Sequence, residues 1–167
     1  SRQNRKLTKI LNNVDHVISN SVFTKKLAIS VGINENKISV INPGIDDVIE
    51  ISKSNAEEAE KIFKGKTNRL ITVSRFDKRK NHEKVIMALR NLKELYPSII
   101  YVCIGYGDEE ENLKKLVNEL NLNNHVLFLK NIETGLKNAL LSKSNIFVMP
   151  SIIHNKSVEG FGISYIE

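Results

Sequence analysis

The chain has 167 residues, of which 41% are hydrophobic and 26% are charged, and its formal net charge is +6 at pH 7. This composition is typical of a soluble globular protein, and the length suffices for one domain with a sizeable core. No apolar run approaches the ~18 residues that a membrane-spanning helix requires. Cys103, the single cysteine, lies in the apolar run IIYVCIG, which predicts a buried thiol in a reducing compartment.

The positive charge is concentrated near the start of the chain and in a second cluster at residues 78–80. Residues 1–30 carry six cations against one acid, Asp15; the cations are Arg2, Arg5, Lys6, Lys9, Lys25 and Lys26. Such an excess suits an anionic partner, although solvated surface explains most of these lysines as well. Only 6% of the residues are aromatic and no stacking motif interleaves the cations, so we expect no nucleic-acid partner.

Six strand-length apolar runs alternate with stretches of helical periodicity. In chain order the runs are DHVIS, KISVI, RLITVS, SIIYVCIG, HVLFLK and NIFVMP. From residue 69 onward helix-length segments separate the runs, with one beginning near Asn81 and another near Asp108. Crossover helices of this length connect parallel strands and cover both faces of their sheet. The pattern therefore predicts an α/β fold.

The loop VSRFDKRKNH follows the third run and carries charges suited to phosphate. Arg75 offers a planar fork, Lys80 a mobile point charge, and the helix beginning at Asn81 its free amide groups. Ligands of open parallel sheets bind where strands end and helices begin, so this loop is a candidate diphosphate site. Taken by itself, a solvated basic turn explains the same residues more simply, and that alternative stays open here.

The loop IGYGDEE follows the fourth run and has two of the three glycines of a dinucleotide-binding fingerprint. Gly105 and Gly107 allow a tight turn, but the third glycine is missing and three glutamates begin the next helix. Their charge would repel a pyrophosphate, and the following strand ends in Lys and Asn instead of an acidic ribose anchor. A nicotinamide-dependent oxidoreductase is therefore not expected.

The segment EGFGISYIE carries two carboxylates, Glu159 and Glu167, eight positions apart. Gly160 and Gly162 leave the backbone open at the start of a predicted helix, ISYIE, whose amide groups would face an anion. Eight helical residues advance about 12 Å, roughly the length of a diphosphate-linked ligand. Carboxylates accept hydrogen bonds from vicinal hydroxyls, so the pair suits sugars on both sides of a diphosphate. Two acids on a solvated helix are the alternative.

These stretches together resemble the retaining glycosyltransferases of family 4, the glycosyltransferase group 1 type, which have the GT-B fold. The matching pieces stand in family order and cover most of the chain: DHVISNSVFTKKLAISVGINENKISVINPGID, LITVSRFDKRKNHEKVIMAL, YVCIGYGDE, VLFLKNI, NIFVMPS and EGFGISYIE. The resemblance implies a Rossmann-like parallel sheet with helices on both faces, as part of a GT-B glycosyltransferase lobe. It implies transfer of a sugar from a nucleoside diphosphate-sugar to a hydroxyl acceptor with retention of configuration, in polysaccharide or glycolipid biosynthesis.

The resemblance also assigns roles to individual residues. Arg75 and Lys80 would hold the donor's diphosphate and stabilise its departure, and with Glu159 they are the predicted catalytic residues. Glu159 would contact hydroxyls of the donor sugar, and Glu167 would contact the ribose. The other predicted donor-binding residues are Gly105, Asn131, Ile132, Gly160, Phe161 and Gly162. Asn81 replaces the glycine that often follows the phosphate-binding lysine, and it would make a good helix N-cap.

No metal or other cofactor is expected, because the family uses no Asp-x-Asp metal site and none appears in this sequence. The histidines lack the spacing of metal ligands, and we expect structural roles for them. They are His16, His82, His125 and His154.

The resemblance divides the chain into three parts. Residues 1–45 would be the trailing part of the N-terminal acceptor lobe, residues 46–66 a connector with a helix, and residues 67–167 a C-terminally truncated donor lobe. A GT-B enzyme has two lobes with the reaction between them, so we expect a fragment that is itself inactive.

The expected partners are a nucleoside diphosphate-sugar donor and a sugar or lipid-linked acceptor. The expected location is the cytoplasm, with the basic N-terminal segment making peripheral contact with the inner face of the membrane. A non-catalytic module that binds a nucleoside diphosphate without transferring sugar is the alternative function.

Overall fold

The computed structural model of the protein describes residues 2–45, 50–155 and 157–166. It divides into two compact units: unit 1 is Ser1–Ile45 with Glu159–Glu167, and unit 2 is Asp46–Val158. None of the helices in the described ranges combines the length and hydropathy that a membrane crossing requires. The assignment of acceptor and donor lobes to parts of the chain stays a prediction.

Unit 1 combines two helices with a two-stranded parallel sheet. Its elements are α1 (Arg2–Asn13), β1 (Val17–Ser19), α2 (Val22–Ser30) and β2 (Ile38–Val40). Ser21 caps α2 because its hydroxyl accepts a hydrogen bond from the Thr24 amide at 3.1 Å, while the Thr24 hydroxyl accepts one from the Ser21 amide. This reciprocal pair satisfies two amide groups that a helix start leaves without partners.

Unit 2 contains a four-stranded parallel sheet with helices on both faces. Its elements are α3 (Lys53–Phe63), β3 (Asn68–Val73), α4 (His82–Leu95), β4 (Ile99–Ile104), α5 (Glu110–Glu119), β5 (Val126–Leu129), α6 (Thr134–Ser142) and β6 (Ile146–Phe147). The strand order is β5-β4-β3-β6. The chain therefore moves outward from β3 through β4 to β5 and then returns to pair β6 with the other side of β3. This reversal places a topological switch point between β3 and β6.

The central strand β4 is buried on both faces, which explains its continuous apolar sequence. Tyr101 and Cys103 pack with α4 and α5 on one face, whereas Ile100 and Val102 pack with α3 and α6 on the other. The predicted burial of Cys103 is confirmed, and this burial raises the pKa of its thiol. The predicted α/β class, with parallel strands covered by helices on both faces, is also confirmed.

The last predicted strand is shorter than its apolar run. NIFVMP yields only Ile146–Phe147, because the run beyond Val148 bonds with loops and contains Pro150, which has no amide hydrogen to donate. The Val148 carbonyl accepts a hydrogen bond from the Thr72 hydroxyl, and Thr72 in turn accepts one from the Tyr101 hydroxyl at 2.6 Å. This buried chain of hydroxyls ties the end of β6 to β3.

Candidate active site

The loop after β3 brings Arg75 and Lys80 to the switch point of the unit 2 sheet. Asp77 shapes the loop, since its carboxylate accepts a hydrogen bond from the Lys80 amide at 3.1 Å and begins the 3-10 turn Lys78–Lys80. Arg75 is exposed, and its guanidinium has no hydrogen-bond or ion-pair partner within the described ranges. The Lys80 ammonium lies 3.4 Å from the Met149 sulfur. The loop thus carries an exposed guanidinium and a partly buried ammonium, two charges that suit an anion.

The start of α4 differs from the prediction at Asn81. This residue precedes the helix, but its side chain forms no cap hydrogen bond, because its backbone is left-handed with φ of 59° and ψ of 36°. The side-chain amide instead donates to the Pro150 carbonyl at 3.1 Å. The prediction that Asn81 makes a good side-chain N-cap is therefore wrong.

His82 is a core residue directly after the loop 74–81. It is only 1% exposed, and its ring packs edge-on against Phe76 with centroids 5.0 Å apart. Burial lowers the pKa of His82 to about 4, so the ring is neutral at pH 7. Its Nε2 lies 3.2 Å from the Ser74 hydroxyl, one residue before Arg75. The structural role predicted for this histidine agrees with its burial.

The glycines after β4 are required by close packing of two loops. A Cβ atom on Gly105 would collide with the Ser74 carbonyl, and its φ of 148° also favours glycine. A Cβ atom on Gly107 would collide with the Phe76 backbone, whose amide donates to the Tyr106 carbonyl at 2.9 Å. These contacts account for both glycines without a ligand, so the donor-binding role of Gly105 stays a prediction.

Two further predicted residues, Asn131 and Ile132, follow β5. Asn131 is exposed and left-handed with φ of 53°, and Ile132 packs partly against the core beneath α3 and α6. Parallel strands end at one edge of their sheet, so Arg75, Lys80 and Gly105 share that edge with this pair. Unit 2 thus brings together five of the predicted site residues.

The segment that begins at Glu159 belongs to unit 1. Gly162 is left-handed with φ of 80°, and a side chain there would collide with the Tyr165 ring. The Gly160 carbonyl accepts a hydrogen bond from the Ser21 hydroxyl at 2.6 Å, which fixes the turn to the start of α2. Glu159 is half-buried, and burial together with the Glu159 charge raises the pKa of Tyr165.

The prediction that ISYIE forms an α-helix is wrong for the residues that the structure describes. Within the described residues the chain after Gly162 forms the 3-10 turn Ile163–Tyr165, and Gly162 at its start has no side chain to accept a hydrogen bond from the first amide groups. Phe161 lies in the bend before this turn. Glu167 lies outside the described residues, so its ribose role and its helical spacing from Glu159 stay predictions.

The sequence does not single out the segment 148–152, which follows β6 and forms hydrogen bonds with the loop 74–81. It predicts a strand over the whole run NIFVMP, although Pro150 is a signal that regular pairing ends there. Across the described ranges, no three His, Cys, Asp or Glu side chains group as metal ligands would. That the reaction needs no metal stays a prediction.

The family described as "Glycosyl transferases group 1" matches residues 53–167. The chain therefore belongs to the group 1 glycosyl transferases. A glycosyltransferase of Methanocaldococcus jannaschii is 31% identical over 157 residues, which are 93% of this chain and 38% of the relative. A GDP-mannose-dependent alpha-(1-6)-phosphatidylinositol monomannoside mannosyltransferase of Mycolicibacterium smegmatis is 26% identical over 96% of this chain and 43% of its own length. The chain thus spans about two fifths of these relatives.

Solved structures share the fold. Anabaena HepE in complex with UDP and glucose superposes with a TM-score of 0.81 at 21% identity, covering 98% of this chain and 44% of HepE. The sucrose-phosphate synthase of Thermosynechococcus elongatus superposes with a TM-score of 0.76 at 22% identity, covering 99% of this chain and 41% of the synthase. Identities this low support the fold alone, and the predicted fold class is confirmed.

Proposed function

We propose that the chain supplies the donor-binding part of a glycosyltransferase. The enzyme transfers a sugar from a nucleoside diphosphate-sugar to a hydroxyl acceptor with retention of configuration, in polysaccharide or glycolipid biosynthesis. A sugar or lipid-linked molecule is the proposed acceptor. The proposed setting is the cytoplasm, with the basic residues of α1 in peripheral contact with an anionic membrane face.

The observation that carries this proposal is the position of Arg75 and Lys80 at the switch point between β3 and β6. Open parallel sheets bind ligands in that crevice, beyond the carboxyl ends of the strands. Two cations there neutralise the negative charge that develops on a departing diphosphate, and they do so without a metal ion in the proposed reaction. Membership of a glycosyl transferase family supports the proposal that this diphosphate is the leaving group of a sugar donor.

Glu159 is proposed to accept hydrogen bonds from hydroxyls of the donor sugar. Glu159 is half-buried, and it precedes a turn whose backbone is bonded to the Ser21 hydroxyl at Gly160. Backbone groups from Gly160 to Gly162 would face the donor, Asn131 and Ile132 would lie near the base, and Glu167 would bind the ribose. The bases named for the relatives and the solved structures differ, and both guanosine and uridine nucleotides are candidates.

Calorimetric titration of this chain with UDP, UDP-glucose, GDP and GDP-mannose tests the proposal. We expect one diphosphate and its sugar nucleotide to bind. Glu159→Gln should weaken the sugar nucleotide about 10- to 150-fold, the effect of one charge-assisted hydrogen bond, and should leave the free diphosphate unchanged.

Glu58→Gln is the matched control, since Glu58 is an exposed glutamate on α3 and its loss should change neither affinity. If all four nucleotides fail to bind, the donor-binding proposal is wrong. Equal losses for diphosphate and sugar nucleotide in Glu159→Gln would show that Glu159 does not recognise the sugar. Binding in which Glu159 has no effect would favour the non-catalytic module.

A further inference from the structure

Three consecutive residues of the loop 74–81, the proposed phosphate-binding loop, are bonded to the segment 148–152 that follows β6. The Arg79 carbonyl accepts a hydrogen bond from the Ile152 amide at 2.8 Å. The Lys80 ammonium lies 3.4 Å from the Met149 sulfur, and the Asn81 side-chain amide donates to the Pro150 carbonyl at 3.1 Å. The two segments leave neighbouring strands of one sheet, and these bonds hold them side by side.

Asparagine combines two properties at position 81 that glycine and alanine do not combine. Its φ of 59° is left-handed, a conformation that is unfavourable for most side chains but suits glycine and, among the rest, asparagine best. Its side-chain amide nitrogen donates a hydrogen bond to the Pro150 carbonyl. Glycine would keep this backbone without the bond, and alanine would lose both.

We propose that Asn81 is a positioning residue for the diphosphate. Its side chain fastens the phosphate-binding loop to the segment after β6, and Lys80, the preceding residue, is thereby held where its ammonium meets the anion. This inference rests on the proposed function, because it needs Lys80 to bind the donor's diphosphate. Asn81 itself makes no contact with the ligand in this proposal.

The bond to Pro150 matters because lysine has a long, flexible side chain that loses conformational freedom when it binds. Met149 already contacts the Lys80 ammonium, and Pro150 is the next residue in the chain. Fixing Pro150 therefore fixes the surface against which Lys80 lies. A preorganised cation binds an anion more tightly than one that must first be ordered.

Asn81→Gly isolates the side-chain bond, since glycine tolerates the left-handed backbone. We expect the affinity for the diphosphate that wild type binds, UDP or GDP, to fall about 3- to 10-fold, the effect of one neutral hydrogen bond. Asn121→Gly is the matched control, because Asn121 is left-handed with φ of 55° after α5 and is not part of the phosphate-binding loop. That variant should bind as wild type does.

A double-mutant cycle distinguishes positioning from a general loss of structure. If Asn81 acts through Lys80, then Asn81→Gly in a Lys80→Ala background should change the affinity less than twofold. Thermal unfolding of each variant, recorded in parallel, establishes that the proteins are folded at the temperature of the titration.

The two proposals fail in different ways. Wild-type chain that binds neither UDP nor GDP would overturn the proposed function and this inference together. Wild-type binding that is unchanged in Asn81→Gly would overturn the inference alone. Equal losses from Asn81→Gly with and without Lys80 would also overturn it, because Asn81 would then not act through that lysine.

Discussion

Unit 2 and unit 1 both place helices beside parallel strands, but they bury their apolar residues very differently. In unit 2 every residue of β4 is buried, and two separate cores fill the faces of the sheet. In unit 1 the buried hydrophobic residues among those described are Ile33 and Ile38, while Ile18 on β1 is 66% exposed and α2 buries no residue. A two-stranded sheet is marginally stable by itself. We therefore expect the stability of this chain to reside mainly in unit 2, the unit that carries Arg75 and Lys80.

The largest expected effect comes from Gly105→Ala in unit 2. Its new methyl group would collide with the Ser74 carbonyl at a backbone φ of 148°, so both steric overlap and strain oppose it. Together these should cost about 3–5 kcal/mol of unfolding free energy in urea denaturation. Gly44→Ala in unit 1, where nothing lies within 4 Å of an added Cβ, should change stability by less than about 0.5 kcal/mol. Similar losses of unfolding free energy for the two substitutions would contradict the difference in packing between unit 2 and unit 1.

Truncating one apolar side chain in each unit tests whether unit 2 is better packed than unit 1. Leu89→Ala in α4 removes a side chain that is 0% exposed, and the cavity should cost about 2–5 kcal/mol. Ile18→Ala in β1 removes one that is 66% exposed, and it should cost less than about 0.5 kcal/mol. Denaturant midpoints of both variants measure the difference, and a costly Ile18→Ala would mean that unit 1 has a core of its own.

The stability of unit 2 should depend on pH through the ionised carboxylate of Glu60. Its carboxylate accepts hydrogen bonds from Arg69 at 2.7 and 3.1 Å and from Lys143 at 2.9 Å, joining α3, β3 and the end of α6. The Arg69 hydrogen bond, with that of Lys143, lowers the pKa of Glu60 from 4.5 to about 2. A lowered pKa stabilises the folded state above pH 4.5, and this contribution disappears as the pH falls towards 2.

Glu60→Gln lacks this contribution, so its unfolding free energy should fall less steeply than that of wild type as the pH is lowered through this range. Glu35→Gln in unit 1 is the control, because Glu35 is 64% exposed in its ion pair with Lys25 and surface pairs contribute little. Denaturation at a series of pH values measures both slopes. If the unfolding free energy of Glu60→Gln depends on pH as steeply as that of wild type, the bonds of Glu60 with Arg69 and Lys143 do not contribute to stability.

The sequence predicted much of unit 2 because its signals are local. The apolar run of β4 indicated burial on both faces, and the order of strands and helices indicated a parallel sheet. The position of Arg75 and Lys80 between a strand and a helix was likewise predicted, whereas their binding of a diphosphate stays a prediction. Each of these inferences needed only residues that are neighbours in the chain.

The remaining features depend on contacts between distant residues. Nothing local shows that β6 pairs with β3, and so the switch point and the bond from Asn81 to Pro150 were not predicted. The ion pair of Glu60 with Lys143 joins residues 83 positions apart. The prediction of a helix after Gly162 was wrong for a different reason. Sequence periodicity cannot distinguish the start of an α-helix from a single 3-10 turn.

Diphosphate binding by the loop 74–81 is tested by titrating three charge variants with UDP and GDP, in the presence and absence of EDTA. Arg75→Ala and Lys80→Ala should each weaken the bound diphosphate about 10- to 150-fold, as the loss of a charge-assisted contact predicts. Arg90→Ala removes one exposed cation from the body of α4 and should leave the affinity unchanged, and EDTA should have no effect on wild type. Wild-type affinity in both Arg75→Ala and Lys80→Ala would contradict the claim that this loop binds the diphosphate.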